Sequence, residues 1–128
     1  MGTFTQIEEI DAWRLARELC REVQLICKET DLAKDFKLKD QIRRSSSSIM
    51  DNIAEGFGRG GNREFIHFLE ISLGSCKETQ SQLYRVRDSD YIDQPRFERV
   101  YRLSKRTSGA ITGLIYYLQG STFRGPRF

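Results

Sequence analysis

Few side chains in this 128-residue sequence have both the type and the spacing that enzymatic chemistry requires. The single histidine, His67, has no cysteine or aspartate at a spacing typical of a catalytic pair, and we interpret it as a surface residue. The four serines at positions 45–48 have no nearby histidine to act as a base, which excludes a serine nucleophile. We therefore predict a protein that is not an enzyme.

The three cysteines, Cys20, Cys27 and Cys76, fall within segments of helical periodicity. An odd number of cysteines in such segments is typical of reduced thiols in a cytoplasmic protein. Cys20 and Cys27 would lie roughly 10 Å apart along one helix, which is too far to share a tetrahedral metal ion. We expect no metal and no cofactor. We also expect no membrane association, because the longest uncharged run, residues 107–123, is short and interrupted by polar residues.

The glycine-rich connection at residues 56–61 has the letters of a dinucleotide-binding fingerprint and precedes a predicted helix. That fingerprint requires a preceding strand. These glycines follow a helical segment instead, so a helix end and a turn explain them. Arg59 and Arg63 flank the amides at the start of the next helix, where an anion or a phosphate can bind. Glu55 is expected to pair with Arg59 one turn later, or with a neighbouring chain.

Basic side chains are concentrated in two segments, although the net charge is only +3. Residues 36–63 contain six basic and three acidic residues, and residues 94–128 contain seven and one. One interpretation is a solvated face that pairs with the acidic first and third helices. The other is an electrostatic surface for phosphates. Under the second interpretation the predicted nucleic-acid-binding residues are Arg43, Arg44, Arg59, Arg63, Arg99, Arg102, Lys105 and Arg106.

Apolar residues recur at intervals of three and four positions through four segments, and strand-like alternation is absent from the sequence. The first helix is predicted over about residues 11–29, and the second begins near Leu38. The third helix is predicted to start just after Asn62 as its N-cap, and the fourth to open with Asp93 as the cap and Pro95 in the first turn. On the fourth helix the basic residues fall on the arc opposite the apolar stripe.

Four helices with short connections predict an all-α fold, an antiparallel up-down-up-down four-helix bundle over residues 1–120. We expect the tail, residues 121–128, to be disordered. Small polar residues such as Ser45, Ser72 and Ser104 interrupt the apolar stripes. Their hydroxyls are expected to bond to helix carbonyls, and the alternative is a polar cavity for a ligand.

The outward arc of the fourth helix changes character toward its end, where two glycines and two tyrosines follow the basic residues. A monomer gains nothing from glycines that each cost ~1 kcal/mol of helix propensity beside exposed aromatic rings. Close approach of another chain explains both residue types, since tyrosines are favoured at interfaces. The third helix also carries apolar residues off its stripe. We therefore predict self-association through Ile66, Phe68, Ile71, Gly109, Gly113, Tyr116 and Tyr117.

Several short segments together carry a family resemblance. They are Asp-Gln-Ile-Arg-Arg at residues 40–44, Asn-Ile-Ala-Glu-Gly-Phe-Gly-Arg at 52–59, Glu-Phe-Ile-His-Phe-Leu at 64–69 and Leu-Gly-Ser at 73–75, with Trp13, Ala16 and Glu78. The sequence resembles, over about residues 4–119, the bacterial four-helix-bundle family encoded in 23S rRNA intervening sequences. The resemblance implies a ring-shaped homopentamer without established enzymatic activity. It also implies a relation to the accessory variability protein of diversity-generating retroelements, a basic bundle that binds reverse transcriptase and nucleic acid.

The combined prediction is a non-catalytic homo-oligomer that binds nucleic acid, RNA in preference to DNA, through backbone phosphates. The alternative is a protein–protein interaction scaffold whose basic face docks an acidic partner protein. The resemblance adds a reverse transcriptase as a candidate protein partner. Basic residues that stay open to solvent favour nucleic acid, whereas basic residues buried between subunits favour the scaffold.

Overall fold

A computed structural model describes residues 4–120 of the chain, and these residues form four long helices. The helices are α1 (Asp11–Glu29), α2 (Phe36–Gly58), α3 (Asn62–Asp88) and α4 (Gln94–Gly120). Two short 3-10 helices, Ile7–Glu9 and Asp31–Lys34, precede α1 and α2. No strand occurs in the described part of the chain. The expected disorder of residues 121–128 falls outside it.

Two aspartates set the starts of α2 and α4. Asp93 Oδ1 accepts a hydrogen bond from the Arg96 amide at 3.0 Å, which confirms the predicted cap of α4. Asp35 Oδ1 accepts from the Leu38 amide at 3.3 Å and caps α2. Helix α2 therefore begins at Phe36, two residues before the predicted start, because the cap lies upstream of the first residue of the apolar stripe.

The prediction that Asn62 caps α3 is wrong. Helix α3 begins at Asn62 itself, and Gly61 occupies the N-cap position without a side-chain hydrogen bond. Asn62 Nδ2 instead donates to the carbonyl of Leu118 at 3.4 Å, which ties the start of α3 to the end of α4. The Asn62 side chain therefore contacts α4 rather than capping α3.

Side-chain contacts between neighbouring helices show that the helices are antiparallel. Ser72 Oγ donates to the Ile49 carbonyl at 2.7 Å, and Arg85 Nη1 donates to Gln41 Oε1 at 2.9 Å, so positions on α2 fall as positions on α3 rise. Each helix packs against its neighbours in sequence, and α4 packs against α1 to close the ring. The predicted all-α, up-down-up-down four-helix bundle is confirmed.

The core contains the small polar residues of the predicted stripes as well as large apolar ones. Ser104 Oγ donates to the Tyr101 carbonyl at 2.6 Å, and Thr107 Oγ1 donates to the Leu103 carbonyl at 2.8 Å, as expected for hydroxyls bonded within their own helix. The Ser72 bond crosses to α2 instead. Apolar side chains with at most 1 % exposure surround these groups: Leu19, Val23, Ile42, Ile49, Ile53, Phe65, Leu69, Leu83, Val100 and Ile111.

Among the described residues, no helix combines the length and the apolar character that crossing a bilayer demands.

Candidate nucleic-acid interface

The apolar stripe of α4 faces the core, so the four predicted basic residues of this helix point outward. Arg99, Arg102, Lys105 and Arg106 are all exposed, whereas Leu103 in the middle of the run is buried. Arg99 Nη1 donates to Glu22 Oε1 of α1 at 2.8 Å, so its charge is neutralised within the subunit. The other three form no ion pair with residues 4–120. We call Arg102, Lys105 and Arg106 the α4 basic surface.

The edge of the α4 basic surface that faces α1 is electrostatically mixed. Arg106 lines a groove of about 540 Å³ between the two helices, together with Arg14, Asp11 and Glu18. Arg14 forms an ion pair with Asp11. Beside α1, two acidic side chains therefore offset the two basic ones.

The two predicted residues of α2, Arg43 and Arg44, are both exposed. Arg44 Nη2 lies 3.0 Å from Asp40 Oδ2 one turn earlier. Both side chains are more than half exposed, so solvent screens this pair and leaves much of the arginine charge available. Arg43 forms no ion pair within residues 4–120.

The two predicted arginines at the connection between α2 and α3 differ in their contacts. Arg59 Nε donates to Glu55 Oε2 at 2.9 Å, which confirms the expected pair one turn apart. The Arg59 guanidinium also lies 5.0 Å above the Phe68 ring. Arg63 is exposed and forms no ion pair in the described part of the chain. Of these two arginines, Arg63 therefore has the more available charge.

The eight predicted residues do not form one patch in a subunit. Helices α2 and α4 lie diagonally across the bundle, and each packs mainly against α1 and α3. The basic residues of α2 and of α4 consequently face different sides of the molecule. A single ligand reaches both sets only by wrapping around the bundle or by contacting more than one subunit.

Two basic regions escaped the sequence-based prediction. Arg14, Arg17 and Arg21 line one groove along α1, together with Glu18 and Glu22, because their spacing of three and four places the arginines together. They were not predicted because acidic residues outnumber basic residues over positions 1–35. Phe36 and Lys37 precede the predicted start of α2, yet they begin this helix and line a groove with other basic residues. The Asp35 cap was the signal that could have found them.

Most of the residues predicted for self-association lie at the surface. An added Cβ at Gly109 or Gly113 would meet nothing within 4 Å, so packing inside the subunit does not demand glycine there. Tyr117 is 52 % exposed and Ile71 is 41 % exposed. Ile66 and Tyr116 are half-buried and pack against their own core. Whether these residues meet another chain stays a prediction.

Gly56, in the segment that carries the family resemblance, has a structural role. An added Cβ at this position would lie 2.7 Å from Phe68 Cβ and 2.9 Å from Phe65 Cδ1, so α2 and α3 approach each other closely only because the residue is glycine. Phe68 is accordingly half-buried between the helices. Asn52 Nδ2 donates to the Ser48 carbonyl at 2.8 Å within α2. This segment is accounted for by packing and local hydrogen bonds.

The cysteines are free thiols of low reactivity. Burial raises the pKa of the Cys76 thiol to about 11 and also raises the pKa of Cys20 and of Cys27. These thiols are therefore protonated at neutral pH and weakly nucleophilic. Within residues 4–120, no three histidine, cysteine or carboxylate side chains converge in an arrangement that can hold a metal ion.

Comparisons with known proteins agree with the fold. A family model described as 23S rRNA-intervening sequence protein matches residues 8–113. The crystal structure of a protein with unknown function from the S23 ribosomal protein family of Bacteroides thetaiotaomicron is similar, with a TM-score of 0.68 and 25% identity, over 81% of this chain and 94% of that chain. No curated protein matches at a significant level. Because the family model covers most of its length, this chain belongs to the 23S rRNA-intervening sequence protein family.

Proposed function

We propose that this protein is a non-catalytic, homo-oligomeric module that binds structured RNA through backbone phosphates. The observation that carries the proposal is the α4 basic surface. Arg102, Lys105 and Arg106 project from one exposed face, and none forms an ion pair with the described residues. Clustered cations without protein partners create a positive field that attracts phosphates. The link of the family to 23S rRNA intervening sequences favours RNA over DNA.

Self-association is part of this proposal. Gly109 and Gly113 lie on the same helix as the basic surface, and the space above both is open. Tyr117 adds an exposed aromatic ring nearby. Close packing of a second copy against this part of α4 would repeat the basic surface in every subunit. A ring of five, as the resemblance implies, converts weak contacts of one subunit into high avidity.

Binding through phosphates predicts a strong dependence on salt. Three phosphate contacts in one subunit give roughly a 40-fold loss of affinity between 50 and 200 mM salt, and contacts in several subunits multiply this loss. We would measure fluorescence anisotropy of a labelled RNA hairpin at both salt concentrations. Equal affinity at the two concentrations, or binding at neither, would contradict the proposal.

Charge reversal tests the surface itself. The variant Arg102→Glu with Arg106→Glu is expected to abolish hairpin binding and to leave helicity unchanged, because both side chains are exposed. The control is Lys28→Glu with Lys77→Glu, which reverses two exposed charges on α1 and α3 outside the basic regions described above. Equal losses in the two variants would assign binding to net charge rather than to α4. A nuclease-resistant complex with an acidic protein, with no RNA affinity, would favour the scaffold alternative.

A further inference from the structure

The first residue of α2 is a highly exposed phenylalanine. Phe36 is 72 % exposed, more than any other large apolar side chain among residues 4–120. Burying such a ring stabilises a protein, and the fold leaves most of this stabilisation unused. Lys39 Nζ lies 4.9 Å from the ring centroid and donates to the Ala33 carbonyl at 3.1 Å, which holds the ammonium beside the ring.

Basic side chains surround this ring. A groove of about 620 Å³ is lined by Phe36, Lys37, Lys39, Asp40, Gln41, Arg43 and Arg44, and we call it the Phe36 groove. Asp40 is its one carboxylate, and it pairs with Arg44 at 3.0 Å. Arg85 of α3 donates to Gln41 Oε1 at 2.9 Å and adds a further cation at the margin. The groove therefore combines an open aromatic face with an excess of positive charge.

The aromatic side chains between α3 and α4 are already in contact with one another or with a cation. The ring of Tyr84 lies 5.0 Å from the Arg87 guanidinium and 4.9 Å from the Phe97 ring. Tyr101 stacks on Phe97 with the ring planes 22° apart. These contacts occupy the faces of the α3–α4 aromatic cluster within the subunit. Phe36 has no aromatic neighbour among the described residues. Lys39 lies over one face of its ring, and the 72 % exposure leaves the other face open to solvent.

We infer that the Phe36 groove binds an unpaired base of single-stranded nucleic acid, with the base stacked on Phe36 and the flanking phosphates on Lys37, Arg43 and Arg44. Aromatic rings set among cations are the usual platform for single strands, because every base has a π-face. A duplex keeps its bases stacked on one another and cannot use the ring. This inference rests on the proposed function and adds a preference for unpaired segments.

Two other anionic partners fit the groove less well. A lipid surface needs a broad apolar face on an amphipathic helix, and this groove offers one aromatic ring among polar and charged side chains. An acidic peptide would pair with the cations but would not need an exposed π-face. Single-stranded nucleic acid uses both features, which is why we favour it.

The test compares single-stranded and duplex RNA of one sequence, with 2-aminopurine replacing a central adenine. Wild-type protein is expected to change the fluorescence of the single strand, because stacking alters 2-aminopurine emission. Phe36→Ala is expected to weaken single-strand affinity roughly 5- to 150-fold and to leave duplex affinity unchanged. The aromatic variant Phe36→Tyr should retain single-strand affinity. Circular dichroism checks the fold of each variant.

Two further variants separate stacking from simple apolar contact. Phe36→Leu keeps an apolar side chain without a π-face and should lose affinity as Phe36→Ala does. Leu25→Ala removes an apolar side chain that is 41 % exposed on α1, and it should leave single-strand affinity unchanged. Full affinity in Phe36→Leu would overturn base stacking. Loss of binding to anionic phospholipid vesicles in Phe36→Ala, with single-strand affinity intact, would assign the groove to lipid.

The experiment distinguishes failure of this inference from failure of the proposed function. If Arg102→Glu with Arg106→Glu abolishes duplex binding and Phe36→Ala binds single strands normally, the inference is wrong and the proposed function stands. If Phe36→Ala alone loses single-strand binding and the α4 variant binds duplex normally, the assignment of RNA binding to the α4 basic surface is wrong. The assignment of base stacking to the Phe36 groove then stands. Wild-type protein that binds neither form overturns both.

Discussion

The α2–α3 connection and the outer face of α4 both contain glycines and arginines, but these residues have partners inside the subunit only at the connection. At the connection, each unusual residue has its explanation inside the subunit. Gly56 allows close contact with Phe68, and the Arg59 guanidinium lies over that ring and pairs with Glu55. Glycine and arginine here serve the packing of two helices.

On the outer face of α4 the subunit offers no such explanation. Space is open above Gly109 and Gly113. Arg102 and Arg106 form no ion pair with residues 4–120. The contrast teaches that residue type alone does not reveal a role. A glycine or an arginine that its own fold accounts for needs no partner, whereas one that its fold leaves unexplained is a candidate contact with another molecule.

The largest effect is expected from filling the open space on α4. Gly109→Leu with Gly113→Leu should reduce the particle mass in solution from that of an oligomer to the 14.9 kDa of one chain. Bulky side chains would block the close approach of a second backbone. Subunit helicity should not fall, because leucine has a higher helix propensity than glycine. Light scattering coupled to size-exclusion chromatography measures the mass.

The matched control is Gly74→Leu on the exposed side of α3, where space is also open but no contact is predicted. This variant should keep the mass of the wild-type protein. Wild-type protein that is already a single chain would contradict the predicted self-association, and so would an unchanged mass in the double variant.

An intermediate effect is expected where the glycine is enclosed. Gly56→Ala should lower the free energy of unfolding by about 1–3 kcal/mol, because its Cβ would overlap Phe68 Cβ at 2.7 Å. The same change at Gly74, where nothing lies within 4 Å, should raise it by about 0.5–1 kcal/mol through helix propensity. Urea denaturation compares the two variants. Changes of the same sign at both positions would remove the distinction between enclosed and open glycines.

The smallest effect is expected from the ion pair at the connection. Glu55→Gln should cost about 0.3–0.5 kcal/mol, since both partners are about half exposed and solvent screens them. The loss should shrink at high salt. A loss above about 1 kcal/mol, together with a lower particle mass, would show that Glu55 binds a neighbouring chain rather than Arg59 alone.

Local sequence signals predicted the helices and much of their caps. Hydrophobic spacing placed Ser104 and Thr107 on the buried stripe of α4, and their hydroxyls bond to carbonyls one turn earlier. Asp93 was recognised as a cap because capping involves only the next three residues. The same reasoning failed at Asn62, whose side chain contacts the end of α4, and it placed the start of α2 after Phe36.

The candidate site was less predictable than the fold. The sequence correctly placed the basic residues of α4 on an exposed face, since helical periodicity alone decides which side chains point away from the core. The interpretation in which basic side chains pair with the acidic first helix holds for Arg99, which meets Glu22 of α1, but the sequence did not reveal which arginines pair in this way. It also did not reveal that the basic residues of α2 and α4 face different sides of the bundle.

By itself, the sequence determined four helices, their buried faces and the exposure of their charges, because each of these properties depends on residues within a few turns of one another. Only the tertiary structure decided which charges are neutralised, which glycine is enclosed and which aromatic ring is most exposed. Those properties depend on how each helix is rotated and shifted against its neighbours, and that geometry comes from packing contacts between residues far apart in the chain.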